Sequence, residues 1–173
     1  MASCSSCHNL SEIGAQCQRI ISSASAKLFD VFINHRGPDV KETLALELYY
    51  SLHALGYKIF LDCYEIERGD SFDSAIKNAI YSASIHIAIF SRGYAKSSWC
   101  LDELVLMLKT KAKIIPIFYD VTPSNLFYIQ KGVYSDAFVQ HEKKGRYLNQ
   151  LEVWEKDLYS VSFIYGYKFS KHN

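Results

Sequence analysis

No stretch of this sequence approaches the roughly 18–20 apolar residues of a membrane span, and its start lacks the basic residues and apolar run of a secretory signal. No membrane association is expected, and the reading is a cytoplasmic one. Charge of one sign is missing too. Nineteen Lys and Arg stand against eighteen Asp and Glu, a net charge of +1, and they are scattered, which excludes the electrostatic footprint of a nucleic-acid binder. The basic cluster Lys143, Lys144 and Arg146 lies beside Glu142 and reads as a solvated helix end. A disulfide framework is also lacking. The five cysteines are odd in number and unevenly spaced, so thiols are expected in a reducing compartment, with Cys63 and Cys100 acting as small hydrophobes. Cys4, Cys7 and His8 spell C-x-x-C-H, but in Ser-rich surroundings without an apolar pocket this reads as a chance match.

What is present is a chain of 173 residues, 49% hydrophobic, enough to bury one sizeable core. Residues 1–26, rich in Ser, Cys and small side chains, suggest a mobile or weakly helical arm, followed by a folded unit over 27–168 and a short tail over 169–173. Within the unit, short apolar runs alternate with longer amphipathic ones. Leu28–Ile33, Tyr57–Leu61, Ser84–Phe90, Ile114–Phe118 and Val161–Ile164 read as strands. Leu44, Leu48, Leu52 and Leu55 recur at helical spacing before Gly56, where a C-cap glycine belongs. Ser71 and Asp73 open a second helix carrying Phe72, Ile76, Ala79 and Ile80, and Ser98 opens a third that runs towards Lys109. Near-continuous apolar strands imply a sheet covered on both faces, and right-handed crossovers then give a flavodoxin-like, doubly wound, five-stranded parallel sheet flanked by helices.

In such a sheet, ligands bind outside the carboxyl ends of the strands, where the strand order reverses. The candidate loops are Asn34 to Asp39, Asp62 to Asp70 and Ser91 to Ser98, and none carries a Gly-x-Gly-x-x-Gly fingerprint or a Walker A loop. The third loop leads into Ser98-Trp99-Cys100-Leu101-Asp102-Glu103-Leu104, where Leu101, Leu104, Val105 and Leu108 share a core face. Trp99 and Glu103 lie one turn apart, away from that face, as an aromatic plate beside a carboxylate. The plain alternative is an indole packed under a loop and a solvated charge near a helix start.

Phe29-Asp30-Val31-Phe32-Ile33 followed by Arg36-Gly37 resembles the opening of plant TIR domains. So do Phe60-Leu61-Asp62 with Glu67-Arg68-Gly69-Asp70, Phe90-Ser91-Arg92-Gly93-Tyr94-Ala95 with Ser98 to Leu104, and Pro116 to Val121 with Pro123-Ser124. The blocks occur in family order, with weaker likeness through Ala137-Phe138 and His141-Glu142. The resemblance implies an NAD glycohydrolase that releases nicotinamide and forms ADP-ribose or a cyclic isomer, with Glu103 at the family's catalytic position and Trp99 as its motif partner. Its alternative is a non-catalytic adaptor acting through TIR–TIR association. No metal and no cofactor are expected, NAD being the substrate.

The chemistry suits one carboxylate. Nicotinamide leaves a cationic nitrogen as a neutral molecule and needs no proton, so Glu103 need only hold the ribose hydroxyls and stabilise the cation at the anomeric carbon. Trp99 would stack on a flat ring, Arg36 would contact phosphate or ribose, and the Gly37 backbone allows close approach. The loop residues His35, Asp62, Glu67 and Ser91 complete the candidate substrate-binding set. Pro38, Val40 and Lys41 depart from the usual Glu, Thr and Arg of the first motif. Leu46 and Glu47 stand where many plant receptors carry a Ser-His pair used in dimerisation, so self-association is expected without naming its faces. The sequence stops soon after Tyr167, and is expected to be either a TIR-only protein or a fragment. A receiver domain would need an aspartate ending its third strand, where Ser91 stands, and a flavodoxin would need a Ser/Thr-rich loop in place of His35-Arg36-Gly37-Pro38.

Overall fold

The computed structural model describes residues 5–21, 28–61, 70–145 and 147–171. Its centre is a five-stranded, all-parallel sheet built from β1 (Val31–His35), β2 (Ile59–Leu61), β3 (Ile85–Phe90), β4 (Lys113–Tyr119) and β5 (Tyr167–Phe169), in the order β2-β1-β3-β4-β5. Val31 pairs with both Ile59 and Ile85, Ile85 with Lys113, and Ile117 with Tyr167. β1 and β3 are buried along their whole length, as strands covered on both faces must be.

Alternation divides the core. Val31, Ile33, Ile85, Ile87 and Ile89 face one side, covered by α1 (Ser5–Ile21) and by α3 (Leu46–Ala54) through Leu48 and Leu52. Phe32, Ala88 and Phe90 face the other, covered by α4 (Asp70–Ser82), α5 (Ser98–Lys109), α7 (Ser135–Lys144) and α8 (Leu148–Val161). Two short helices, α2 (Gly37–Val40) and α6 (Pro123–Phe127), follow β1 and β4. α3 gives way to Gly56 at φ +88°, the left-handed position the sequence called for.

Three elements differ from the sequence reading. Val161–Ile164 is not a strand. Trp154, Leu158 and Val161 form a buried i, i+4, i+7 stripe that closes α8, and the fifth strand comes later, at Tyr167–Phe169. β1 runs two residues beyond Ile33, so Asn34 and His35 belong to the strand rather than to the loop after it. Within the stretch read as an arm, Ser5–Ile21 is helical. Ile13 and Cys17 are fully buried there, Asn9 Nδ2 donates to the Lys168 carbonyl (3.2 Å), and the Tyr167 hydroxyl donates to Gln16 Oε1 (3.1 Å). Gly14 is buried on the same face, and a Cβ there would lie 3.0 Å from Leu55, just past the end of α3. Burial pushes the Cys17 thiol up to about 12, so it stays protonated.

Candidate active site

α5 runs from Ser98 to Lys109, as the sequence suggested. Ser97 is the N-cap, its hydroxyl accepting from the Cys100 amide (3.3 Å). The buried face comprises Cys100, Leu101, Glu103, Leu104 and Met107, with Val105 and Leu108 only half buried. It is therefore rotated by about a quarter turn from the expected one. The rotation carries Glu103 to the edge of the core and leaves Trp99 outside.

Glu103 is 7% exposed. Its Oε2 accepts a hydrogen bond from Asn34 Nδ2 at 2.9 Å. Asn34 is fully buried, its Nδ2 also reaches the Cys100 carbonyl (3.3 Å), and its Oδ1 accepts from the Tyr94 hydroxyl. Burial, then the nearby Cys100 and Glu103, drive that hydroxyl far above the usual tyrosine range, so it serves as a donor. Glu103 and Trp99 line one cleft of about 300 Å³ between α4 and α5, together with Ile76, Lys77, Asp102, Val105 and Leu106. Trp99 is 45% exposed, an indole at the surface of that cleft.

The neighbouring carboxylates point apart. Asp102 accepts from the Trp154 indole (3.0 Å), and burial raises its carboxyl while that bond and His141 lower it. Asp102 thus anchors α8, and Glu103 faces β1.

A second cluster lies where β1 and β3, adjacent in space but not in sequence, end side by side. Asp39 accepts from Arg36 Nη1, from Ser91 Oγ and from the Gly93 amide (3.0 Å). The buried Tyr134 hydroxyl donates to the Ser91 carbonyl (2.8 Å). Arg36 and Ser91 are thereby brought together through Asp39, which ties the loop after β1 to the loop after β3.

The remaining candidates fall elsewhere. Strand alternation turns His35 to the sheet face opposite Asn34 and Glu103, where burial first, then Lys41, lower its imidazole to about 4 against the raising effect of the Ile33 backbone. Gly37 lines a separate groove of about 460 Å³ with Lys41, Thr43 and Lys171. Asp62 and Glu67 lie outside the described residues. Sequence reading placed Asn34, Asp39 and Tyr94 in candidate loops without giving them a role, and missed Lys77. Counting by twos from the core residue Phe32 places Asn34 on the α5 face, and that signal was available.

Among the described residues, no group of three His, Cys, Asp or Glu side chains could hold a metal ion, and no helix is long and apolar enough to cross a membrane.

A parallel sheet in the order 2-1-3-4-5, with a buried carboxylate and clustered polar side chains at the carboxyl ends of the adjacent strands β1 and β3, defines a flavodoxin-like α/β domain, a fold in which ligands bind at the switch point. Residues 28–173 match the TIR domain family, and the chain belongs to it. It is 40% identical over 114 residues to the probable 2' cyclic ADP-D-ribose synthase BdTIR of Brachypodium distachyon, a match covering 66% of this chain and 51% of that protein. It is 39% identical over 127 residues to TMV resistance protein N of Nicotiana glutinosa, covering 71% of this chain and 11% of that one. The chain thus spans about half the length of the first relative and about a tenth of the second. Among solved structures it resembles the TIR domains of the activated Roq1 resistosome that recognises the pathogen effector XopQ, with a TM-score of 0.72 and 34% identity over 81% of this chain and 87% of that one.

Proposed function

We propose that this chain cleaves NAD between nicotinamide and ribose, giving nicotinamide and either ADP-ribose or a cyclic ADP-ribose isomer. The observation that carries the reading is the Glu103 carboxylate, 7% exposed, tied at 2.9 Å to a buried amide and lining the same cleft as Trp99. The likeness to a relative named as a cyclic ADP-ribose synthase supports it.

The pyridinium nitrogen of NAD takes the bonding pair and leaves as neutral nicotinamide, so the site supplies no proton to the leaving group. Positive charge then grows at the anomeric carbon and ring oxygen. A fixed carboxylate against the ribose hydroxyls stabilises that charge, and the low-dielectric surroundings strengthen the effect. Water attacking the anomeric carbon gives ADP-ribose and releases a proton, while an internal nucleophile of the same molecule gives a cyclic product. Trp99 offers its face to a flat ring of the substrate, and Lys77 offers charge to the diphosphate. Arg36 and Ser91 serve the site by holding the two loops through Asp39. The assignment of Asp62 and Glu67 to substrate contact rests on family resemblance alone. NAD is consumed rather than recycled, so no cofactor enters the scheme. The likeness to TIR domains within a resistosome supports self-association through TIR–TIR contacts as part of this proposal, and light scattering with and without NAD reports it.

Mass spectrometry of products from NAD and the purified chain tests the reaction. Wild type is expected to release nicotinamide, and Glu103→Ala to lose at least about 10²–10³-fold in kcat while remaining folded. Wild-type turnover by Glu103→Ala would remove the role given to this carboxylate, and a folded but inert wild type would leave the adaptor reading in its place.

A further inference from the structure

Asn34 and Tyr94 pose a question the fold does not answer. Both side chains are fully buried, one on β1 and one in the turn that follows β3, at positions where aliphatic and phenyl groups would pack as well without desolvating an amide and a hydroxyl. Unmet, those two groups would carry their full desolvation penalty. They meet each other and Glu103. The Tyr94 hydroxyl lies near both Asn34 Oδ1 and the Cys100 carbonyl (3.0 Å), but it has one proton, and the contact to Asn34 is the shorter. With Oδ1 occupied by a donor, the amide cannot flip, because flipping would set its oxygen against the Glu103 carboxylate. Nδ2 is thus held facing Glu103 Oε2 at 2.9 Å.

We infer that Asn34 and Tyr94 are positioning residues for Glu103: the tyrosine locks the amide, and the amide fixes the carboxylate in the one orientation from which it meets the ribose. The inference rests on the proposed NAD-cleaving reading. Around Glu103 stand Lys77 from α4, Cys100 and Asp102 from its own helix, and Tyr94 from the turn after β3. Of these the Asp102 carboxylate is engaged by Trp154, and the Asn34 amide meets Glu103 directly. The relay spans three parts of the chain, β1, the turn after β3 and α5.

The test measures nicotinamide release, as separate kcat and KM values, for wild type, Tyr94→Phe, Asn34→Ala, the double variant and Glu103→Gln, each below its melting transition. Tyr94→Phe keeps the ring and its packing, and carries the test where Asn34→Ala does not fold. Each single variant is expected to lose about 10–100-fold in kcat with KM within about twofold, since misorientation acts on the transition state. The Tyr94→Phe change is expected to cost little more once Asn34 is gone, because both act through one bond. Wild-type kcat in Tyr94→Phe, or losses that multiply in the double variant, would overturn the relay. Activity in Glu103→Gln, or an inert wild type, would instead overturn the parent reading, so the two failures are distinguishable.

Discussion

Gly93 has φ −95° and ψ −2°, a conformation open to any residue, so the backbone does not demand glycine there. Space does. A Cβ at this position would lie 2.5 Å from Asp39 Oδ2, 3.0 Å from Oδ1 and 3.1 Å from Arg36 Nη1. Gly93→Ala must therefore push the Asp39 carboxylate away from the Gly93 amide and the Ser91 hydroxyl, both of which it now accepts from. Hydrogen bonds to a charged acceptor contribute about 1.5–3 kcal/mol each. The ion pair with Arg36, whose side chain is 26% exposed, adds little. Losing or lengthening both part-buried bonds puts the expected cost of Gly93→Ala at about 3 kcal/mol, and Asp39→Ala costs a similar amount because it leaves the same donors unmet. Without the Asp39 carboxylate, a Cβ at Gly93 loses its nearest neighbours. In the Asp39→Ala background the glycine change should then cost about 1 kcal/mol or less, a coupling of about 2 kcal/mol. Equilibrium urea unfolding of the four proteins measures it. Additive costs would show that the glycine is not there for the carboxylate, and that the link between the two loops does not pass through Asp39.

Two further outcomes follow from single side chains. His35 titrates at about 4 when folded against 6.5 for the ordinary group, so below pH 6.5 the unfolded chain binds a proton that the folded one refuses. Stability is then present above that value and is lost as pH falls towards 4, by about 3 kcal/mol from this residue; His35→Phe should flatten the slope of unfolding free energy against pH in that window, and an unchanged slope would show that His35 is not its source. Lys77 lines the cleft and is exposed, so Lys77→Ala is expected to raise KM for NAD about tenfold with kcat unchanged, and equal KM values in steady-state assays would remove it from the diphosphate.

Much of this was legible in the sequence because apolar spacing is a local property. The runs Ile85 to Phe90 and Lys113 to Tyr119 are strands, and Leu44, Leu48 and Leu52 do face the core. Motif order placed Glu103 and Trp99, and the structure sets both in one cleft. What stayed hidden depends on partners far along the chain. Val161 to Ile164 looks β-forming by composition, yet Val161 belongs to a helical stripe set by Trp154 seven residues earlier. Asn34 and Asp39 read as loop polar residues, and only the adjacency of β1 to β3 and α5 gives them Glu103, Ser91 and Gly93 as partners.

Where Glu103 sits within α5 bears on why it is there at all. With Ser97 as N-cap, Glu103 is the sixth helical residue, past the first turn where the helix dipole favours negative charge. Nor is it a solvated surface charge, at 7% exposure. A carboxylate in that place has lost most of its hydration, and the Asn34 bond is one interaction that offsets part of the loss. A sequence shaped for stability alone would put a neutral group there. Gln has the same shape, accepts the same bond from Asn34 and carries no charge to desolvate, so Glu103→Gln is expected to be more stable than wild type by about 1–2 kcal/mol while losing nicotinamide release. Thermal and urea unfolding beside the product assay read both halves. A Glu103→Gln protein less stable than wild type would mean that the charge serves the fold, and the argument from burial to catalysis would then lose its footing.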